Sequence, residues 1–218
     1  TLQEGGQIVG LSTASSVVAE REMRLADGSS QLTVLLRYTN VGEEPFPLWI
    51  RWHPYLVLDD IYGEHSVIVA PGPGQGQMRR IRVGLGRDTH FLDVPGYWMA
   101  LNASTGIGVW MTFRERDVQV CATWTDYRRD KHPKRGWFTV EPRRKKQLLR
   151  PGETVEMQLT YQPFAPGDRL DLGLVERREH AEAKRFARLV RDNGPVIAEH
   201  TMVPWPNQGH TAAEQNRF

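Results

Sequence analysis

Disulfide chemistry is absent from this 218-residue chain: Cys121 is its single cysteine, which excludes an internal disulfide framework and leaves the compartment undecided. Long apolar runs are missing too, and none approaches the ~18 residues that a membrane-crossing helix needs. Charge of one sign is not in excess, since 28 basic and 26 acidic residues leave a net charge of +2, too small to imply nucleic acid by itself. No serine stands in a nucleophile-elbow setting, and Cys121 falls mid-strand without a visible activator. Asp59, Asp60, Glu64 and His65 lack a fixed ligand spacing and read as a solvated acidic turn, so neither a metal nor a cofactor is expected. Gly72-Pro73-Gly74-Gln75-Gly76 is glycine-rich, but its proline and the lack of a following helix argue against a phosphate cradle. The chain starts at Thr1 with no charged-then-apolar leader, and reads as processed, truncated or the later portion of something longer.

What is present is a globular composition, 39% hydrophobic and 25% charged. The length fits one large all-β domain, or an ordinary domain with an appendage. Strand signals dominate to about Phe164. Leu32, Val34, Leu36 and Tyr38 alternate with Gln31, Thr33 and Arg37, and Asn40-Val41-Gly42 supplies a turn. Ser66–Val69 and Ile107–Phe113 read as strands, as does a run placing Val118, Val120, Ala122 and Trp124 on one face. Trp137, Thr139 and Glu141 share one side of a short strand, with Phe138 and Val140 on the other. Val155, Met157, Leu159 and Tyr161 alternate with Glu156, Gln158 and Thr160. Strands at this spacing predict an antiparallel sandwich over 1–164.

The run Leu48-Trp49-Ile50-Arg51-Trp52-His53-Pro54-Tyr55-Leu56 carries the strongest chemical signal. As a strand it projects Trp49, Arg51 and His53 to one face and Ile50 and Trp52 to the other. A ring, a cation and an imidazole on one face suit a polar ring such as a sugar; a half-buried strand with a hydrogen-bonded histidine is the plainer alternative. Pro54 removes a ladder donor, so the strand must end, bend or lie at an edge there.

From 165 to 218 the pattern changes to a helical and extended appendage. Leu174–Asn193 has helix propensity and an apolar stripe through Ala183, Phe186, Ala187 and Val190, and Gly194-Pro195 supplies the stop. The tail from Val196 has no period and is expected to wrap a neighbour or be held by a partner. Arg128, Arg129, Lys131, Lys134, Arg135, Arg143, Arg144, Lys145 and Lys146 cluster around only Asp130 and Glu141. No nucleic-acid module accompanies them. They read as a solvated face, or as a surface for an anionic partner such as an acidic polysaccharide or another subunit.

Three motifs together resemble a family. Val34 to Tyr55 (VLLRYTNVGEEPFPLWIRWHPY) resembles the aldose 1-epimerase segment in which a strand ending in a Thr-Asn turn precedes a His-x-Tyr or His-Pro-Tyr motif. Phe138-Thr139-Val140-Glu141-Pro142 is similar to the strand that bears the catalytic glutamate, and Leu149-Arg150-Pro151-Gly152-Glu153 to the Leu-x-Pro-Gly-Glu turn before the last strand. Arg87-Asp88-Thr89-His90-Phe91 stands where many members carry a sugar-contacting aspartate. The likeness covers about residues 20 to 164. Members of the galactose-mutarotase-like group have a further N-terminal region with an Asn-Arg pair and another histidine; this chain starts after that region, so those groups are expected to be missing or to lie on another polypeptide.

The resemblance implies an antiparallel β-supersandwich with a C-terminal helix and extended tail, binding sugar on a concave sheet face. It casts His53 as the acid toward the ring oxygen and Glu141 as the base toward the anomeric hydroxyl, on opposite sides of a pyranose. Arg51, Tyr55, Asp88, Trp124 and Arg143 become the sugar contacts, with Trp49 or Trp137 as further stacking rings. The partner expected is a sugar or polysaccharide, anionic or neutral, with a partner subunit or domain in some readings; neither nucleic acid nor membrane is expected. Because fold does not settle function, three readings stand: a mutarotase, a non-catalytic domain of a larger glycan-degrading enzyme, and an assembly protein that keeps the fold without the chemistry.

Overall fold

A computed structural model of the chain describes residues 7–14, 16–58, 66–71, 78–82, 87–92, 96–126, 137–193 and 202–204. Within them the strands are β1 (Gln7–Ala14), β2 (Val17–Leu25), β3 (Leu32–Asn40), β4 (Phe46–Leu48), β5 (Ser66–Pro71), β6 (Met78–Arg82) and β7 (Arg87–Leu92). There follow β8 (Tyr97–Asn102), β9 (Gly108–Phe113), β10 (Val120–Asp126), β11 (Trp137–Arg143), β12 (Gln147–Leu149), β13 (Thr154–Phe164) and β14 (Met202–Pro204), with helix α1 (His180–Asn193) before the last. The acidic turn around Asp59–His65, the loop Gly72–Gly76 and the basic residues Arg128 to Arg135 lie outside the described residues, as does most of the tail.

Period-two alternation builds the main sheet. Nine strands run in the order β1-β2-β3-β13-β9-β8-β5-β6-β14, antiparallel throughout except where β14 adds parallel to β6. On β3 and β13 the apolar members Val34, Leu36, Met157 and Leu159 are buried, facing a smaller sheet of order β11-β10-β7. That sheet contributes Phe138, Val140 and Cys121 to the same core. The central strands β8 and β9 are buried at every position. Trp98 and Ala100 face the small sheet, while Tyr97, Met99 and Leu101 face the other way into a second core. Strands covered on both faces read as continuous apolar runs rather than alternating ones.

The second core explains the C-terminal helix. Ala183 and Phe186 of α1 sit on Tyr97 and Trp110, the Phe186 ring 5.4 Å from Tyr97 and 5.8 Å from Trp110. The Trp110 indole N–H donates to the Asp171 carbonyl at 2.7 Å, tying down the connection that leads to the helix. The expected helix from Leu174 is corrected at its start: a 3-10 turn over Arg177–Glu179 comes first, and α1 begins at His180. Val175 is buried in the second core, and its carbonyl accepts from the His180 ring, so the approach to the helix is spent on packing. Helix α1 therefore forms a third layer behind the large sheet.

A second correction concerns residues 49–56, which are not a continuous strand. They run beside β11 with bridges only at Arg51–Arg143 and Leu56–Phe138. Leu56 and Phe138 exchange both backbone hydrogen bonds, Trp52 N–H donates to the Pro142 carbonyl at 3.2 Å, and Arg144 N–H to that of Ile50 at 3.0 Å. One register connects these contacts and sets Pro54 opposite Val140 and Trp52 opposite Pro142. Each proline lacks the N–H its position in the ladder would use, so pairing survives in pieces. The segment is a broken edge, one of the outcomes that Pro54 allows.

Asn40 fixes the entry to this segment. Fully buried, its side-chain amide donates to the carbonyls of Glu44 and Leu149, both at 2.8 Å, and its Oδ1 accepts from Gly42 N–H. The Thr-Asn turn thus ties β3 to the β4–β12 pair that delivers Trp49.

Candidate functional site

The register that breaks the edge also builds the site. It sets His53 opposite Glu141 and Arg51 opposite Arg143, so four chemistry-bearing side chains from two segments share one face. The backbone alternation is the one expected: Ile50 is buried and Trp52 packs on the main core, while Trp49, Arg51 and Tyr55 are exposed.

Glu141 is the centre, with only 2% of its surface exposed. His53 Nε2 lies 2.9 Å from its Oε1, which also accepts from the Thr139 hydroxyl at 2.9 Å. Its Oε2 accepts from Arg143 Nη2 at 3.1 Å, with Arg51 Nη1 at 3.6 Å. Thr139 stands two residues before Glu141 on the same strand face, so a strand carrying a buried carboxylate also brings one of its donors. A carboxylate this buried requires such partners.

Around this centre the site is aromatic and cationic. The His53 and Tyr55 rings are 4.9 Å apart and inclined at 57°. Trp49 has the Lys146 ammonium 5.0 Å and the Arg143 guanidinium 5.5 Å from its ring centroid, both within cation–π range. A recess of about 370 Å³ runs from Trp49 along Pro47, Gln147 and Leu148. Ring faces beside charged donors can hold a polyol: the ring covers a sugar's C–H face while the donors take its hydroxyls.

Of the residues expected at the site, His53, Glu141, Arg51, Tyr55 and Arg143 are brought together. Trp124 and Asp88 are located by register alone, because their side chains lie outside the described ones. Trp124 pairs with Thr139 and Thr89, two residues along from the row of Glu141, Ala122 and Phe91. Asp88 pairs with Thr125, which in turn pairs with Phe138. Thr139 and Lys146 were not among the expected sugar contacts, although Thr139 shares the Glu141 parity and Lys146 belongs to the basic cluster. Among the described residues no three His, Cys, Asp or Glu side chains group as metal ligands. No described helix is long and apolar enough to cross a membrane.

No family model and no curated protein matches the chain. Solved structures do. A candidate aldose 1-epimerase from Escherichia coli K12 superposes with a TM-score of 0.59 at 17% identity, over 74% of this chain and 66% of that one. A second, from Klebsiella pneumoniae, gives 0.55 at 15% identity, over 95% of this chain and 58% of that one. The galactose mutarotase related enzyme of Lactobacillus acidophilus gives 0.56 at 12% identity, over 78% and 71%. The chain spans about two thirds or less of the first two. At these identities the likeness concerns the fold, and the fold of this chain is that of the galactose-mutarotase-like sandwich.

Proposed function

We propose that the chain is a carbohydrate-active protein of mutarotase type, which binds an aldose on the Trp49–Tyr55 face and interconverts its anomers by acid–base catalysis. The observation that carries this reading is the direct contact of His53 with Glu141, an imidazole and a carboxylate drawn from distant segments onto an aromatic face. Mutarotation needs one proton delivered to the ring oxygen and one taken from the anomeric hydroxyl. Both oxygens are bonded to the same carbon, so an acid and a base that start as neighbours can serve both once a sugar separates them. His53 gives its proton to the ring oxygen and Glu141 accepts that of the hydroxyl. The bond from the anomeric carbon to the ring oxygen breaks as the carbonyl forms. Rotation about the adjacent carbon–carbon bond and the reverse transfers close the ring on the other face.

Arg143, Arg51 and Thr139 fix the Glu141 carboxylate, while Trp49 and Tyr55 cover the sugar ring; Trp124 and Asp88 are the further contacts proposed. Removing a positioned acid or base costs about 10²- to 10⁴-fold in rate. His53→Ala and Glu141→Gln are therefore each expected to abolish mutarotation followed by polarimetry, with sugar binding retained in His53→Ala. Undiminished anomer exchange in both variants sinks the reading.

One observation favours a second reading, in which the chain binds sugar without turnover as a domain of a glycan-degrading assembly. Glu141 Oε1 is already met by His53 and Thr139, and Oε2 by Arg143 with Arg51 as a longer ion pair, which suits an anchor more than a free base. That reading predicts saturable sugar binding with no acceleration of mutarotation by the unmodified chain.

A further inference from the structure

Behind the large sheet, on the side away from Glu141, a cleft of about 710 Å³ opens between the connection Asp168–Gly173 and helix α1. Its volume falls among those of ligand pockets. The helix presents His180, Lys184 and Arg188 to it, at positions i, i+4 and i+8 of one face. Arg169 lines the opposite wall, and Leu170, Leu172 and Ala187 give it an apolar lining.

The stripe is unfavourable as it stands. Lys184 and Arg188 are like charges one turn apart, an arrangement that weakens a helix. No acidic residue stands three or four positions from Lys184; for Arg188 only Asp192 does. The cleft's own carboxylates are engaged with backbone: Asp168 Oδ2 accepts from Ala165 N–H at 2.8 Å, and Asp171 Oδ1 from Gly173 N–H at 3.1 Å. His180 spends its Nε2 on the Val175 carbonyl at 2.8 Å, so that nitrogen is the donor. A successive rise of roughly 6 Å separates residues four apart on a helix, which spaces the cations as a rail rather than a single point.

We propose that this cleft is a second binding site, for an anionic oligosaccharide whose carboxylates lie along Lys184, Arg188 and Arg169 and whose sugar rings cover Leu170, Leu172 and Ala187. Cations in a row match repeated carboxylates, and an aliphatic floor matches the C–H faces between them. The glycan identity of the anion rests on the carbohydrate reading above; the cation rail does not.

The test is calorimetric titration of the full chain with tetragalacturonic acid, with neutral maltotetraose and with inorganic pyrophosphate. Tetragalacturonic acid is expected to bind, maltotetraose not to bind at this cleft, and pyrophosphate to bind more weakly. In Lys184→Gln/Arg188→Gln, affinity for the acidic tetramer is expected to fall at least about tenfold, through loss of two charge-assisted contacts. Both side chains are exposed, so the variant is expected to keep the circular dichroism of the parent. Mutarotation of an aldose is expected to be the same in this double variant as in the parent, which separates failure at this cleft from failure at the His53 face. Equal binding of the tetramer by the double variant, or an equal loss of maltotetraose binding in that variant, overturns the proposal. Pyrophosphate binding as tight as the tetramer's overturns its glycan part.

Discussion

At the scale of single residues, Glu141 is a buried and closely held carboxylate. Its buried carboxylate is met by His53, Thr139, Arg143 and Arg51, so removing its charge strands the donors rather than merely deleting a contact. Glu141→Gln is expected to cost about 2–4 kcal/mol in urea unfolding with an unchanged denaturant slope. His53→Ala is expected to cost about 1 kcal/mol, because its ring is partly exposed and its contact with Glu141 goes with it. Since the two touch, the double variant is expected to cost less than the two single costs added together. Full additivity would mean that the 2.9 Å contact contributes nothing in solution. Sequence gave access to this pair through two separate motifs, and to the shared parity of Thr139 and Glu141. It held no measure of the distance between the motifs, because Pro54 and Pro142 obscure the pairing that joins them.

At the scale of elements, helix α1 shows how a modest sequence stripe acquires its role from its neighbours. Ala183 and Phe186 were legible as apolar positions at helical spacing, but the rings they meet, Tyr97 and Trp110, lie far away in sequence. Phe186→Ala is expected to destabilise the fold by about 3–5 kcal/mol, the usual cost of emptying an aromatic site. The sugar binding proposed at the His53 face is expected to be unchanged under conditions where the variant stays folded, since a whole sheet lies between. A variant as stable as the parent in thermal unfolding would show that the helix is not part of the cooperative unit. The late start of α1 at His180 has a local cause that helix propensity does not contain: Val175 is drawn into the second core, and its carbonyl holds His180.

For the whole molecule, the two cores bury groups that ionise only at alkaline pH. Burial pushes the Tyr161 and Cys121 groups up, as it does Tyr97, where Glu182 and Glu179 add to the effect; Arg143 opposes it at Cys121. The folded state therefore keeps protons that the unfolded chain releases at its ordinary values of 9.0 for the thiol and 10.0 for the phenols. A raised folded value means stability fully present below those values and lost as pH rises past them. Urea stability is expected to decline from about pH 9 upward, with a shallower decline in Tyr161→Phe. A flat profile to strongly alkaline pH would contradict the burial of these groups, as would reaction of Cys121 with a thiol reagent in the folded protein.

The sequence by itself determined the class of the fold, because period-two alternation and turn residues act locally: each strand's inward face is written in its own residues. It also determined that Glu141 and Thr139 share a face, and that at Pro54 the strand must end, bend or lie at an edge. The tertiary structure decided what no local pattern contains. It set the register that brings His53 within 2.9 Å of Glu141, put Tyr97 and Trp110 under α1, and opened a cationic cleft behind the sheet. These depend on pairings between segments far apart in the chain, fixed by the packing of two cores on the two faces of one sheet.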